Sequence, residues 1–213
     1  MRPLLVALAL LLALPASAGV SGSSKPGALA RIACLGDSLT SGEVFTTVSY
    51  PTNLQTALGS GATVRNLATQ GFTASQIATV YTTNVDGKRW KWLVLLGGIN
   101  DVRTGALTGA ATYALLSPIV DDAVSEGTRV LWIRLLPWKN NAGWTAGRQT
   151  ETDAFNALVS ARTDIRVLDA KTALGNVADR DMLAAAYDAG DGLHLNDAGA
   201  AALAAAVQGA MFP

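Results

Sequence analysis

The most constraining feature of this chain is Trp92–Leu96, five consecutive apolar residues closed by Gly97 and Gly98. A strand with one wet face would alternate apolar and polar residues. An unbroken apolar run instead suits a strand covered on both faces. A second largely apolar run, Arg129 to Leu136, reads as another buried strand and is closed by Pro137. Arg31 to Leu35, Ala62 to Leu67 and Ile165 to Leu168 are shorter β-prone runs. Helical spacing fills the intervals: Tyr50 to Leu58, Ala74 to Tyr81 with Thr73 as cap, Ala111 to Ser125, Thr150 to Ala161, and Asp197 to Met211 capped by Asn196. Pro118 is expected to kink or restart the third of these helices. Five strands alternating with helices predict an α/β domain with a doubly wound, mainly parallel five-stranded sheet of flavodoxin-like type. Ligands of such sheets bind beyond the carboxyl ends of the strands, so the residues that follow each strand are the ones to read for chemistry.

The first 18 residues are expected to lie outside that domain. Arg2 is followed by an apolar stretch from Leu4 to Leu14, then Pro15 and Ala16-Ser17-Ala18, the pattern of a cleaved secretory signal. The stretch is shorter than the roughly 20 residues needed to span a bilayer, so no stable membrane anchor is expected after cleavage. Residues 19–29, rich in Gly and Ser, read as a linker, and residues 30–213 as the domain. The protein is therefore expected to be secreted or periplasmic.

Composition excludes several function classes. Sixteen basic residues balance sixteen acidic ones, which leaves no electrostatic footprint for nucleic acid. One His and one Cys cannot build a zinc site from imidazoles and thiolates. The glycine-rich phosphate motif expected of a nucleotide binder is missing as well. Cys34, inside the first strand, reads as buried and inert. Any reaction that needs an imidazole must use His194.

Gly36-Asp37-Ser38-Leu39 follows the first strand, and a turn from Asn66 to Gly71 follows the second. Gly98-Ile99-Asn100-Asp101 follows the third, and Asp191-Gly192-Leu193-His194 precedes the last helix. Taken singly, each segment has an ordinary structural reading as a turn, a cap or a loop ion pair. Taken together and in this order, they resemble the sequence blocks of the SGNH (GDSL-type) hydrolase family. The resemblance spans about residues 31–210. One departure is Leu195, which stands where many members carry Pro.

The resemblance implies a serine esterase that needs neither a metal nor an organic cofactor. Ser38 would be the nucleophile, His194 its base, and Asp191 the partner that fixes the imidazole tautomer. The oxyanion hole would consist of the Ser38 and Gly71 backbone N–H groups and the Asn100 side-chain amide. Asp37 and Asp101 read as turn and structural residues. Trp138 and Trp144, in the loop after the fourth strand, and Phe45, shortly after the nucleophile, are candidates to line a substrate pocket; the alternative for each is plain packing. The expected substrates are small carboxylic esters, either simple acyl esters or acetylated sugars. Two alternatives stand beside this reading: an acyltransferase using the same site, and a non-catalytic binding module on a flavodoxin-like fold.

Overall fold

The computed structural model describes residues 30–213. The expected signal segment and linker lie outside the described residues. Five parallel strands form one sheet in the order β2-β1-β3-β4-β5. They are β1 (Ala30–Gly36), β2 (Ala62–Asn66), β3 (Trp92–Leu96), β4 (Arg129–Ile133) and β5 (Arg166–Leu168). The helices are α1 (Ser38–Ser41), α2 (Tyr50–Leu58), α3 (Ala74–Asn84), α4 (Ile99–Thr104), α5 (Gly109–Ser125), α6 (Ala146–Ser160), α7 (Lys171–Leu174) and α8 (Asp197–Met211). Contacts of α2 with α8, and of α5 with both α3 and α6, divide the long helices between the two faces of the sheet. Among the described residues no helix is long and apolar enough to cross a membrane.

The apolar runs are buried for the reason the sequence suggests. Ile32 to Leu35 and Trp92 to Leu96 lie in the middle of the sheet, covered on both faces. Trp132 of β4 stacks on Tyr113 of α5 and meets Phe155 of α6 edge-on, which fixes that side of the sheet against its helices. Cys34 is fully buried, and burial pushes its thiol up to about 12. It remains a small apolar residue at neutral pH.

Three expectations need correction. The fourth strand ends at Ile133, not Leu136. Its neighbour β5 has only three residues, so little ladder remains beyond the Arg134 N–H bond to the Leu168 carbonyl. Past that point Asn156 of α6 takes over, accepting from the Leu135 N–H at 2.8 Å and donating to the Leu135 carbonyl at 3.3 Å. Of the two outcomes expected at Pro118, a restart is excluded, because α5 runs unbroken from Gly109 to Ser125. Pro118 and Ala114, four residues earlier, are both exposed, so the carbonyl that loses its helical donor faces water. Helix α6 begins at Ala146, because Thr145 caps it by accepting the Arg148 N–H.

The order of the strands sets the place of the site. The chain passes from β1 outward to β2, then returns across β1 to β3, so the switch point lies between β1 and β3. Gly36 and Leu96 are paired at that point. A Cβ on Gly36 would lie 2.0 Å from the Leu96 carbonyl oxygen and 2.6 Å from Thr40 Oγ1. Only glycine lets the end of β1 lie this close to β3 and still turn directly into the segment that carries Ser38.

Candidate active site

Asp37 caps the four-residue helix α1 by accepting the Leu39 N–H at 3.0 Å on Oδ1. Ser38 is then the first helical residue, and its N–H has no intrahelical acceptor. Ser38 is 5% exposed, and its hydroxyl lies 3.0 Å from His194 Nε2. His194 Nδ1 lies 2.6 Å from Asp191 Oδ2. The other oxygen of Asp191 accepts the backbone N–H groups of Leu193 at 3.0 Å and His194 at 2.8 Å. Burial raises the Asp191 carboxyl, but these N–H groups and the imidazole outweigh it and hold the group below the ordinary carboxylate range. Asp191 is therefore ionised at neutral pH. It favours the tautomer with the proton on Nδ1, which leaves Nε2 free to accept the Ser38 proton.

The other two loops are tied to each other. Asn100 donates to the Phe72 carbonyl at 3.0 Å, and Asp101 accepts the Ala74 N–H at 2.8 Å. Together they pin the turn that contains Gly71 to the start of α4. Asn66 donates to the carbonyls of Thr40 and Ser41, fastening the end of β2 to the turn that carries Ser38. Gly71 is exposed and has φ +77°, a conformation that a side chain disfavours. The Asn100 amide has a second N–H beyond the one given to Phe72. The expected oxyanion donors thus follow three adjacent strands, β2, β1 and β3, at the carboxyl edge of the sheet.

The three pocket candidates have different surroundings. Trp138 is 1% exposed and donates its indole N–H to Thr152 at 3.1 Å, so it packs the core and walls no pocket. Trp144 is half-buried, with its indole N–H on Gln149 at 2.9 Å and Lys139 over its ring. Phe45 does reach the site. Its ring stacks on His194 with centroids 3.6 Å apart and planes 2° from parallel. Beside Ser38 and His194, lined also by Leu39, Phe45, Tyr50 and Leu195, is a recess of about 10 Å³. That is room for about one water-sized group.

Several supporting residues were not visible in the sequence patterns. Asp188 Oδ1 accepts the N–H groups of Gly190, Asp191 and Gly192 and so shapes the loop that presents Asp191 and His194. Asn141 donates to the Asp191 carbonyl at 2.7 Å, and Asn140 donates to Asp188. The loop after β4 that carries Trp138 and Trp144 therefore braces the Asp191–His194 loop. The only hint was an Asp three residues before Asp191, a common loop feature. As for metals, among the described residues Asp86, Asp122 and Glu126 bring one oxygen each within 4.8 Å of one another. All three are exposed and lie before β3 and β4, at the opposite end of the sheet from Ser38.

A family model described as the GDSL-like lipase/acylhydrolase family matches residues 34–202. The chain belongs to the GDSL-like lipase/acylhydrolase family. Solved structures share the fold of this family member. A GDSL-like lipase from Bacteroides thetaiotaomicron is 20% identical over 85% of this chain and 87% of its own, with a TM-score of 0.67. An acetyl-xylooligosaccharide esterase mutant from Geobacillus stearmophilus is 17% identical over 86% and 94%, with a TM-score of 0.71. The SGNH-hydrolase family esterase AlinE4 is 24% identical over 65% and 74%, with a TM-score of 0.56. No curated protein matches this GDSL-like chain by sequence.

Asp37, next to Ser38, has an unusual environment. It is fully buried, and its Oδ2 has no hydrogen-bond partner. Burial raises its carboxyl from 3.8 to about 7; the Leu39 N–H opposes the rise, and the nearby Asp101 charge adds to it. Between these two values the folded protein holds a proton that the unfolded chain has lost. The contribution of Asp37 to stability therefore falls as pH rises from about 4 to about 7. Asp37→Asn keeps an oxygen for the Leu39 N–H and cannot ionise. Its urea midpoint should gain on the wild type across that window; parallel curves would show that Asp37 does not titrate there.

Proposed function

We propose that the protein is a secreted serine esterase hydrolysing small carboxylic esters, simple acyl esters or acetylated sugars, through an acyl-serine intermediate. The observation that carries this reading is the continuous relay from Ser38 Oγ to His194 Nε2 at 3.0 Å and from His194 Nδ1 to Asp191 at 2.6 Å. A serine hydroxyl is a weak nucleophile until an adjacent base accepts its proton. As Ser38 Oγ bonds to the ester carbonyl carbon, His194 takes that proton and Asp191 stabilises the imidazolium. The negative charge that develops on the carbonyl oxygen is met by the Ser38 and Gly71 N–H groups and the Asn100 amide. The alcohol leaves with the proton from His194, and an acyl group remains on Ser38. Water, activated by the same imidazole, releases the acid and restores the serine. The apolar stretch and Ala16-Ser17-Ala18 of the first 18 residues support secretion.

Short acyl groups fit best. The expected oxyanion donors stand at the open edge of the sheet, with Gly71 exposed, so an acyl chain beside them lies along the surface, where each methylene contributes only part of the roughly 0.8 kcal/mol of full burial. The likeness to an acetyl-xylooligosaccharide esterase agrees with an acetyl substrate. Across p-nitrophenyl esters from acetate to palmitate, below their aggregation limits, kcat/KM should be highest at acetate to butyrate and fall thereafter. A steady rise towards palmitate would instead require a lipid-binding groove. Release of acetate from acetylated xylooligosaccharides separates the sugar esters from simple esters.

A further inference from the structure

The segment between α1 and α2 is held in a strained conformation. Val44 is 82% exposed, yet its φ is +74°, a region that β-branched residues avoid. Such a conformation persists only where the surroundings over-determine it. Two anchors do so here. On one side, Thr46 gives both its N–H and its hydroxyl to the Gly42 carbonyl, at 3.0 and 2.8 Å. On the other stands Asp197, in the first turn of α8 and three residues beyond His194. Its Oδ1 accepts the N–H groups of Thr47 at 2.7 Å and Val48 at 3.2 Å, and its Oδ2 accepts the Thr47 hydroxyl at 2.7 Å. Both oxygens of an exposed carboxylate are thus spent on one loop, through bonds strengthened by its charge. That loop carries Phe45, whose ring lies flat on the His194 imidazole.

We propose that Asp197 and Phe45 form one positioning device for His194: the carboxylate clamps the loop, and the ring holds the plane of the imidazole in line with Ser38. The inference rests on reading His194 as the base. The χ2 torsion of histidine is broad, so bonds at the two ring nitrogens leave the ring free to tilt about the line between them. A flat aromatic contact at 3.6 Å removes that freedom. It also places a π face against the imidazolium that forms during proton transfer. Catalysis is sensitive at this scale, since a displacement of about 1 Å can cost 10²-fold in rate. Both residues act through His194 and are positioning residues, with no contact of Asp197 to substrate required.

His194 is the only histidine, so untagged protein gives a single set of imidazole signals in an NMR spectrum. Those signals should lie upfield, in the ring current of Phe45. In Phe45→Leu they should return downfield, and kcat for p-nitrophenyl acetate should fall about tenfold with KM changed less than about twofold. Asp197→Ala should move both readouts the same way without touching either ring. Phe45→Tyr should restore both. The double variant Phe45→Leu, Asp197→Ala should lose no more than the worse single, because the two act as a unit. Thr47→Val removes one clamp bond from the loop side and should give a smaller shift in the same direction, which covers the case in which Asp197→Ala disturbs α8. A wild-type imidazole signal and kcat in a folded Asp197→Ala, or multiplicative losses in the double variant, would overturn the proposal. Full activity in His194→Ala is a separate result that would remove the esterase reading, whereas the imidazole signal of Asp197→Ala still decides the clamp.

Discussion

Ser38→Ala and His194→Ala are each expected to lower kcat for p-nitrophenyl acetate by about 10⁴-fold or more while the fold is retained. The size of the effect follows from the absence of a substitute. The chain has one histidine, so the loss of His194 leaves no second imidazole to accept the Ser38 proton. Ser38 is almost fully buried on a turn fixed by Asp37 and Gly36, and its hydroxyl is the one within hydrogen-bond distance of His194 Nε2. Neither truncation disturbs the sheet. The double variant should be no worse than either single, because the two residues carry out one step. Circular dichroism and a urea midpoint, measured alongside turnover, separate lost chemistry from lost structure.

The second large effect concerns Asn100. Asn100→Ala should lower kcat by about 10²-fold with KM little changed. One N–H of its amide is occupied by the Phe72 carbonyl at 3.0 Å, which fixes the orientation of the group before substrate arrives. The second N–H is the one assigned to the oxyanion, whose charge exists only in the transition state. A residue that merely pinned the Gly71 turn would behave differently: its loss would lower the urea midpoint and raise KM. Asn100→Asp is the sharper control, because a carboxylate in that place repels the developing charge and should cost more than Ala does.

The sequence was most informative where one segment of chain suffices to define the structure. Trp92 to Leu96 suits a strand buried on both faces, and it is one. The loops that follow the strands could be located without coordinates, because a parallel sheet brings all its strand ends to one edge. Asp191 and His194 are three residues apart on one loop, so their meeting was legible; their meeting with Ser38, 156 residues away, was implied only by the family resemblance. What stayed hidden depends on contacts between distant segments. Trp138 in a polar loop resembles a sugar platform until Thr152, on a helix not yet placed, is seen to take its N–H. Asn140, Asn141 and Asp188 are ordinary loop residues in sequence and become the brace of the acid–base loop only when β4 and α8 are packed side by side. The end of β4 was misjudged because a side chain, Asn156, satisfies the backbone where a strand partner had been expected.

The central claim is that Ser38 is a nucleophile activated by His194. Its most direct measurement is reaction with a fluorophosphonate, followed by intact mass and peptide mapping. This reagent is attacked by an activated serine and does not depend on guessing the natural ester. Wild-type protein is expected to gain one adduct, on the peptide that contains Ser38. Ser38→Ala should gain none, and His194→Ala should react far more slowly. Equal labelling of wild type and Ser38→Ala, or an adduct mapped to another residue, would contradict the account.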